Sequence, residues 1–243
     1  RINRAADDAA GLAVSTTLKA QIRSVNQAIR NSNDAVSLLQ TAEGGLAEMG
    51  NILLRMRELA QQAANGALGD TERQFLNDEY LALKSEIQRI SDVTEFAGKK
   101  LLNGALSAGV EFQVGFQNSA NDRMELSINQ ASAARLGLNT TSANTISTAA
   151  VAQSALSVID SSAISTLSER RADIGALQNR LEYTIAGLQS SAENLSAANS
   201  RIEDADFASE TALYVKNQIL VQAGTSVLAQ ANMLPQNALS LLG

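Results

Sequence analysis

The sequence predicts a mainly α fold, in which a long helical hairpin and a third long helix form a coiled-coil-like bundle beside a small β-hairpin. Apolar residues recur in steps of three, four and seven over long stretches, as in helices that pack along one face. A single proline, Pro235, leaves long stretches free to be helical. Aromatic residues are only 3% while 45% are hydrophobic, so we expect a core of Ala, Leu, Ile and Val.

The first helix is predicted over residues 4–65. Asp7 and Asp8 suit the positive end of its dipole, and Asn65-Gly66 is a stop signal. The pair Gly44-Gly45 predicts either a bend or a close backbone approach. Its apolar seam consists of Val14, Leu18, Ile22, Val25, Ile29, Val36, Leu39, Leu46, Met49, Leu53, Met56, Ala60 and Ala63.

The second helix follows after a loop of only about four residues, so the two helices should be antiparallel neighbours. We expect Asp70 or Thr71 to cap it. Its seam advances in steps of four and three, through Leu76, Tyr80, Leu83, Ile87, Ile90 and Thr94.

The period then changes to two, which predicts a β-hairpin over about residues 108–130. The residues that alternate with polar ones are Val110, Phe112, Val114 and Phe116, then Met124, Leu126 and Ile128. Residues 117–122 between them are rich in turn formers. Residues 137–148 read as a connection without a periodic pattern.

The helical period returns from Thr148 to Ile202 and predicts the third long helix. The acidic run Glu203–Asp206 then interrupts the apolar rhythm. We therefore divide the chain into a helical core domain with its hairpin, residues 1–203, and a C-terminal helix, residues 204–243. The third seam consists of Leu156, Ile159, Ala163, Leu167, Ile174, Leu177, Leu181, Leu188, Leu195, Ala198 and Ile202.

The C-terminal stretch from Asn217 to Gly243 contains no Asp, Glu, Lys or Arg. Glutamines such as Gln222 argue against a membrane span. A helix so poor in charge should pack against protein on more than one side. We expect it to be mobile in a lone subunit and to become ordered by association. Apolar residues at intervals of seven define what we call the assembly seam: Leu213, Leu220, Val227, Leu234 and Leu241.

The composition argues against catalysis, metal binding and nucleic-acid binding. The chain has no cysteine, no histidine and a net charge of −6, and we find no catalytic or cofactor-binding motif. We therefore predict no enzyme, no cofactor and no metal. Two alternatives stay open: calcium binding at Glu203–Asp206, against a solvated linker, and a carboxylate pair at Asp7 and Asp8, against helix-start electrostatics.

Long strings of residues resemble bacterial flagellin, beginning with the run from Arg1 to Ala13, which is similar to the family's Arg-Ile-Asn-x-Ala-x-Asp-Asp-Ala-Ala-Gly-Leu-Ala. The matches recur in the expected order over nearly the whole chain. The further strings are Gln21-Ile22-Arg23, Asn26-Gln27-Ala28, Gln40–Gly44, Arg57–Ala60, Phe112–Gly115, Gln178–Leu181, Glu193–Leu195, Ser200–Ala208, Gln222–Gly224 and Leu228–Asn232.

The resemblance implies a subunit that polymerises into the extracellular flagellar filament, with residues 204–243 in an inner coiled-coil domain. It implies contacts with other flagellin subunits, an export chaperone, and the cap and junction proteins. Export would follow the flagellar type III pathway without a cleaved signal peptide. Family members carry a further helix before the Arg-Ile-Asn stretch, so we expect the chain to be truncated.

The sequence departs from the family pattern at three places. Only a short connection, residues 139–148, stands where variable outer domains are usual. Ala97 stands where the family usually has Asn, in a local turn. Leu54 stands in place of Gln, in the segment that innate immune receptors of animals recognise. Matching that motif implies the recognition residues Arg55, Leu59 and Glu86.

Two other functions remain as alternatives. One is a hook–filament junction protein, which is similar to flagellin at both ends. The other is a cell-surface flagellin-like protein with an added role as an adhesin or a receptor for acidic polysaccharide, which cationic residues on the outer helix faces would have to supply.

Overall fold

The computed structural model of the chain describes residues 2, 4, 6–140 and 143–240, with side chains described through residue 232. Five α-helices occupy most of this length: α1 (Ala9–Ala63), α2 (Asp70–Val93), α3 (Ala149–Val158), α4 (Ser165–Glu203) and α5 (Phe207–Ser240). A π-helical turn, Ile159–Ile164, joins α3 to α4. Two small antiparallel strand pairs complete the described part, which confirms the mainly α fold class.

The chain divides into two compact units. One consists of residues 20–194; the other consists of residues 1–19 together with residues 195–243. Helices α1 and α4 therefore contribute residues to both. The sequence-based division into residues 1–203 and 204–243 stays a prediction.

The core of the 20–194 unit is built on the buried face of α1. Leu39, Leu46 and Leu53 are fully buried there, as the apolar seam predicts. The helix runs unbroken through Gly44-Gly45. A Cβ at Gly45 would lie 2.9 Å from the Leu102 Cδ1 atom and 3.0 Å from the Thr94 Oγ1 atom, so this glycine serves a close approach rather than a bend.

The start of α2 differs from the sequence-based expectation. Gly69 occupies the N-cap position without a side-chain cap, and Asp70 is the first helical residue. The expectation that Asp70 or Thr71 caps the helix was therefore wrong. Arg73 instead ties the two helices together, because its buried guanidinium donates 3.0 Å hydrogen bonds to the carbonyl oxygens of Ala63 and Asn65. These carbonyls, where α1 ends, lack partners within the helix.

The strands β3 (Val110–Gln113) and β4 (Arg123–Leu126) form the predicted β-hairpin, with Phe112 opposite Met124. The strands are shorter than the alternation suggested, since Phe116 and Ile128 lie outside them. A second, smaller pair was not foreseen: β1 (Glu95–Phe96) and β2 (Lys99–Lys100).

Ala97 and Gly98 form the tight turn between β1 and β2, with φ values of 49° and 78°. Turns of this kind need two residues at positive φ, which explains their preference for Asn-Gly. Ala97 is therefore held in a left-handed conformation that an alanine adopts only at a cost.

Residues 137–140 and 143–148 belong to the core and are more than a loose connection. Leu138 and Ile146 are fully buried. The Tyr80 hydroxyl donates a 3.0 Å hydrogen bond to the carbonyl oxygen of Ala143, and the Ile146 N–H donates to the Asn77 side chain at 2.9 Å. Burial raises the pKa of Tyr80 to about 12. The apolar residues of this segment are irregularly spaced, so no period indicated their burial.

The third predicted helix is present but contains the π-helical turn Ile159–Ile164. Thr148 caps α3 by accepting a hydrogen bond from the Val151 N–H. Ile159 and Ala163 remain fully buried through the turn. Asp160 within it pairs with Arg57 of α1, at 2.6 Å between Nε and Oδ1. A wider turn inside a helix re-aims the residues around it.

Candidate assembly surface

Helix α5 begins where the acidic run ends. The Asp206 carboxylate accepts hydrogen bonds from the Ala208 and Ser209 N–H groups, at 3.0 and 3.3 Å, as an N-cap residue does. Asp206 therefore has a structural role at the helix start. This arrangement follows from the local sequence, since Asp directly before an apolar run is a usual start signal.

The described side chains of α5 are exposed along its whole length. Every residue from 207 to 232 is exposed, and the assembly seam is no exception: Leu220 and Val227 are 58% and 63% exposed. Leu213 is exposed as well. Leu234 lies in α5, but its side chain is outside the described part, and Leu241 lies outside the described residues altogether.

Exposed apolar side chains occupy several sides of α5. One face carries the seam, and the adjoining face carries Tyr214, Val221 and Leu228, each one residue further along. Val215 and Ile219 lie on another side, where they line a shallow groove. A helix that exposes apolar side chains on several sides is expected to pack against more than one neighbour. Each of these side chains would contribute about 1.5–3 kcal/mol if it were fully buried.

A polar network lies in the same unit as α5. It joins Ser15 and Lys19 of α1 to Asn199 and Glu203 of α4. The buried Ser15 hydroxyl is 2.8 Å from both the Asn199 Oδ1 atom and the Glu203 Oε2 atom, and Lys19 pairs with the other carboxylate oxygen. Hydrogen bonds from Lys19 and then Ser15 hold the pKa of Glu203 below its usual value. The network therefore fixes the last turn of α4, just before α5.

Four of the acidic candidates from the sequence, Asp7, Asp8, Glu203 and Asp206, accept hydrogen bonds within the chain. Asp8 caps α1 through the Ala10 and Gly11 N–H groups, at 3.0 and 2.9 Å. Asp7 accepts a hydrogen bond from the Arg4 N–H. This favours the helix-start interpretation over a catalytic pair. Among the described residues no three Asp or Glu side chains gather in a way that could hold a metal ion.

The three residues implied for immune recognition have unequal access to solvent. Arg55 is half exposed and pairs with Glu58 and Glu79, so it bridges α1 and α2. Glu86 pairs with Arg89 one helical turn away, which lowers the pKa of its carboxyl. Leu59, in contrast, is only 1% exposed and belongs to the core. Leu54, the departure from the family, is 55% exposed beside Arg55. The recognition residues stay a prediction.

None of the described helices is long and apolar enough to cross a lipid bilayer.

Two family models match the chain and together cover most of it. The bacterial flagellin N-terminal helical region matches residues 1–107, and the bacterial flagellin C-terminal helical region matches residues 156–242. This chain belongs to the bacterial flagellin family. The observation agrees with the resemblance that the motif strings carry, and it places α5 in the C-terminal helical region.

Curated relatives of this flagellin match over its full length. The flagellin of Halalkalibacterium halodurans is 46% identical over 242 residues, covering 100% of this chain and 87% of the relative. The flagellin of Bacillus subtilis is 44% identical, with 100% and 88% covered. The flagellar filament 33 kDa core protein of Treponema phagedenis is 42% identical, with the same coverage. Flagellin A of Vibrio cholerae aligns over 344 residues, so that relative carries long stretches that this flagellin lacks.

Solved structures support the same fold. The crystal structure of Bacillus cereus flagellin matches with a TM-score of 0.57 and 34% identity, over 70% of this flagellin and 94% of that chain. A putative flagellar hook-associated protein from Vibrio parahaemolyticus matches with a TM-score of 0.65, over 82% of this flagellin and 100% of that chain. Its identity is only 15%, so this similarity supports the fold and nothing further.

Proposed function

We propose that this flagellin is a structural subunit that self-assembles into the extracellular flagellar filament and serves swimming motility. The observation that carries the proposal is the exposure of apolar side chains on several sides of α5, in a chain whose full-length relatives are named flagellin or flagellar filament core protein. Such a helix is stable in water only with neighbours around it. In a homopolymer, other copies of the same helix can cover these side chains.

Assembly through α5 fits the distribution of charge along the chain. From Asn217 onwards no charged residue has to be desolvated when helices come together, so the apolar gain is not offset by an ion's dehydration. Small residues such as Gly224 and Ala231 alternate with the seam and permit close helix approach. Leu213, Leu220, Val227, Leu234 and Leu241 remain our assignment for the assembly seam.

Further partners follow from membership of the family and not from contacts. We expect an export chaperone, the cap and junction proteins, and export by the type III pathway without a cleaved signal peptide. We assign the chain no catalytic role and no cofactor. An innate immune receptor would meet Arg55, Glu86 and the exposed Leu54 on the surface, while Leu59 would act through packing.

Neither alternative is favoured. The hook-associated neighbour shares the fold at low identity, whereas the flagellins match over the whole chain at much higher identity. No feature of the described surface favours an adhesin or a receptor for acidic polysaccharide over a filament subunit.

A charge on the assembly seam tests the proposal. Leu220→Asp should abolish filament growth on preformed seeds, because a buried unpaired carboxylate costs several kcal/mol, on the order of what one seam contact gains. The matched control is Tyr183→Asp, which makes a similar change at the most exposed large apolar residue of α4, 81% exposed. Light scattering and electron microscopy of full-length protein report the result. Growth of Leu220→Asp filaments at the wild-type rate would contradict the role of α5.

A further inference from the structure

A cleft in the 20–194 unit is unusually rich in hydrogen-bond donors. It has a volume of about 400 Å³. None of the described residues that line it carries a carboxylate. Its polar lining consists of two arginines, three side-chain amides and one hydroxyl: Arg135, Arg170, Asn103, Asn129, Gln130 and Ser107.

Arg170 is the unsatisfied group of this cleft. Its Nε and Nη1 atoms are inaccessible to water and have no hydrogen-bond partner within the described part of the chain. Burial lowers the pKa of Arg170, and the charge of Arg135 lowers it further, against the pull of Glu169 and Asp173. A buried guanidinium without acceptors is a costly state. Since these two nitrogens are shielded from solvent, an anion in the cleft would be attracted by the positive charge of Arg170 rather than bond to them.

Two amide side chains of the cleft, those of Gln130 and Asn103, use their oxygen atoms as acceptors and have unpaired N–H₂ groups. The Gln130 Oε1 atom accepts a 3.4 Å hydrogen bond from Arg135, which leaves its amide N–H₂ free. The Asn103 Oδ1 atom accepts from the Ala105 N–H at 3.0 Å, which leaves that N–H₂ free as well. Two like-charged guanidinium groups and two amide N–H₂ groups therefore line one cleft that contains no carboxylate among its described lining residues.

We propose that this cleft binds a tetrahedral oxyanion of the phosphate–sulfate class. Arginine forks match the oxygens of such anions, and the bonds are charge-assisted. The lining residues come from three stretches of the chain, residues 103–107, 129–135 and 170, so an anion with four oxygens would have more partners here than the two oxygens of a carboxylate. The proposal is separate from the filament role, since none of the residues that line the cleft belongs to α5.

Calorimetric titration of the full chain with inorganic phosphate, at constant ionic strength in chloride, tests the proposal. We expect saturable binding, and Arg170→Gln should weaken it about tenfold, since one of the two positive charges that line the cleft is lost. Arg135→Gln should weaken it in the same direction. The matched control is Arg180→Gln, the same change at an exposed position of α4, which should leave the affinity unchanged.

Competition experiments and melting curves distinguish phosphate binding in this cleft from a general effect of salt. Sulfate should displace phosphate, and acetate should not. Phosphate should raise the melting temperature of the wild type and of Arg180→Gln more than that of Arg170→Gln, although phosphate and sulfate also stabilise folded proteins in general. Equal phosphate affinity in all variants, an equal melting shift in all variants, or displacement by acetate as readily as by sulfate would overturn the proposal.

Discussion

Helices α1 and α5 carry the same kind of apolar repeat but differ completely in burial. Leu39, Leu46 and Leu53 of α1 are buried by α2, the β-hairpin and the α3–α4 helix of the same chain, whereas Leu220 and Val227 of α5 are more than half exposed. The apolar repeat indicates only that a helix has an apolar side. Whether that side is covered depends on a partner, and in α5 the described part of the chain supplies none for it.

The largest expected effect is on stability, and its absence would contradict the difference in burial between α1 and α5. Leu53→Ala should lower the free energy of unfolding by about 2–5 kcal/mol, because it leaves a cavity in a packed core. Leu220→Ala should change it by no more than about 0.5 kcal/mol in a dilute monomer, since its side chain is already in water. Urea denaturation of both variants measures the difference. Equal losses would mean that α5 is packed within a single chain.

A smaller effect should arise at the turn between β1 and β2. Ala97→Asn and Ala97→Gly should each stabilise the protein by about 0.5–1 kcal/mol, because both residues adopt positive φ more readily than alanine. Thermal melts check this, and hydrogen exchange in α5 should stay the same if the two units respond separately. As a control, Gly98→Ala, at φ 78°, should act in the opposite direction. Destabilisation by Ala97→Gly would refute the account of this turn.

The smallest expected effect concerns the polar network before α5. Because the pKa of Glu203 is lowered in the folded protein, its contribution is fully present above the ordinary value of 4.5 and is lost as the pH falls through the lowered one. The protection of amides at the end of α4 against hydrogen exchange, relative to their intrinsic rate, should therefore fall in that acidic range. Glu203→Gln should remove the pH dependence, and Glu210→Gln, an exposed glutamate of α5, should not. An unchanged profile in Glu203→Gln would show that other groups control this turn.

Features that depend on local sequence were predictable. The long helices, the stops near Asn65 and Glu203, and the β-hairpin follow from period and from turn residues. Features that depend on distant contacts were not. Arg73 looks like any helix-surface arginine, and no pattern indicates that it holds the end of α1. The sequence of residues 137–148 is that of a loop, and no pattern indicates the hydrogen bonds that Tyr80 and Asn77 make to Ala143 and Ile146.

The sequence by itself determined the helical architecture, the charge-free tail and the family, because periodicity, composition and long motif strings are properties of the chain in one dimension. Only the tertiary structure decided which apolar repeats are buried and that Leu59 lies in the core while Leu54 does not. It also decided that two guanidinium nitrogens of Arg170 have no hydrogen-bond partner in the described part of the chain. Burial and hydrogen bonding depend on which distant residues meet. That information lies in the packing of α1 against its neighbours and cannot be obtained from the period of any one helix.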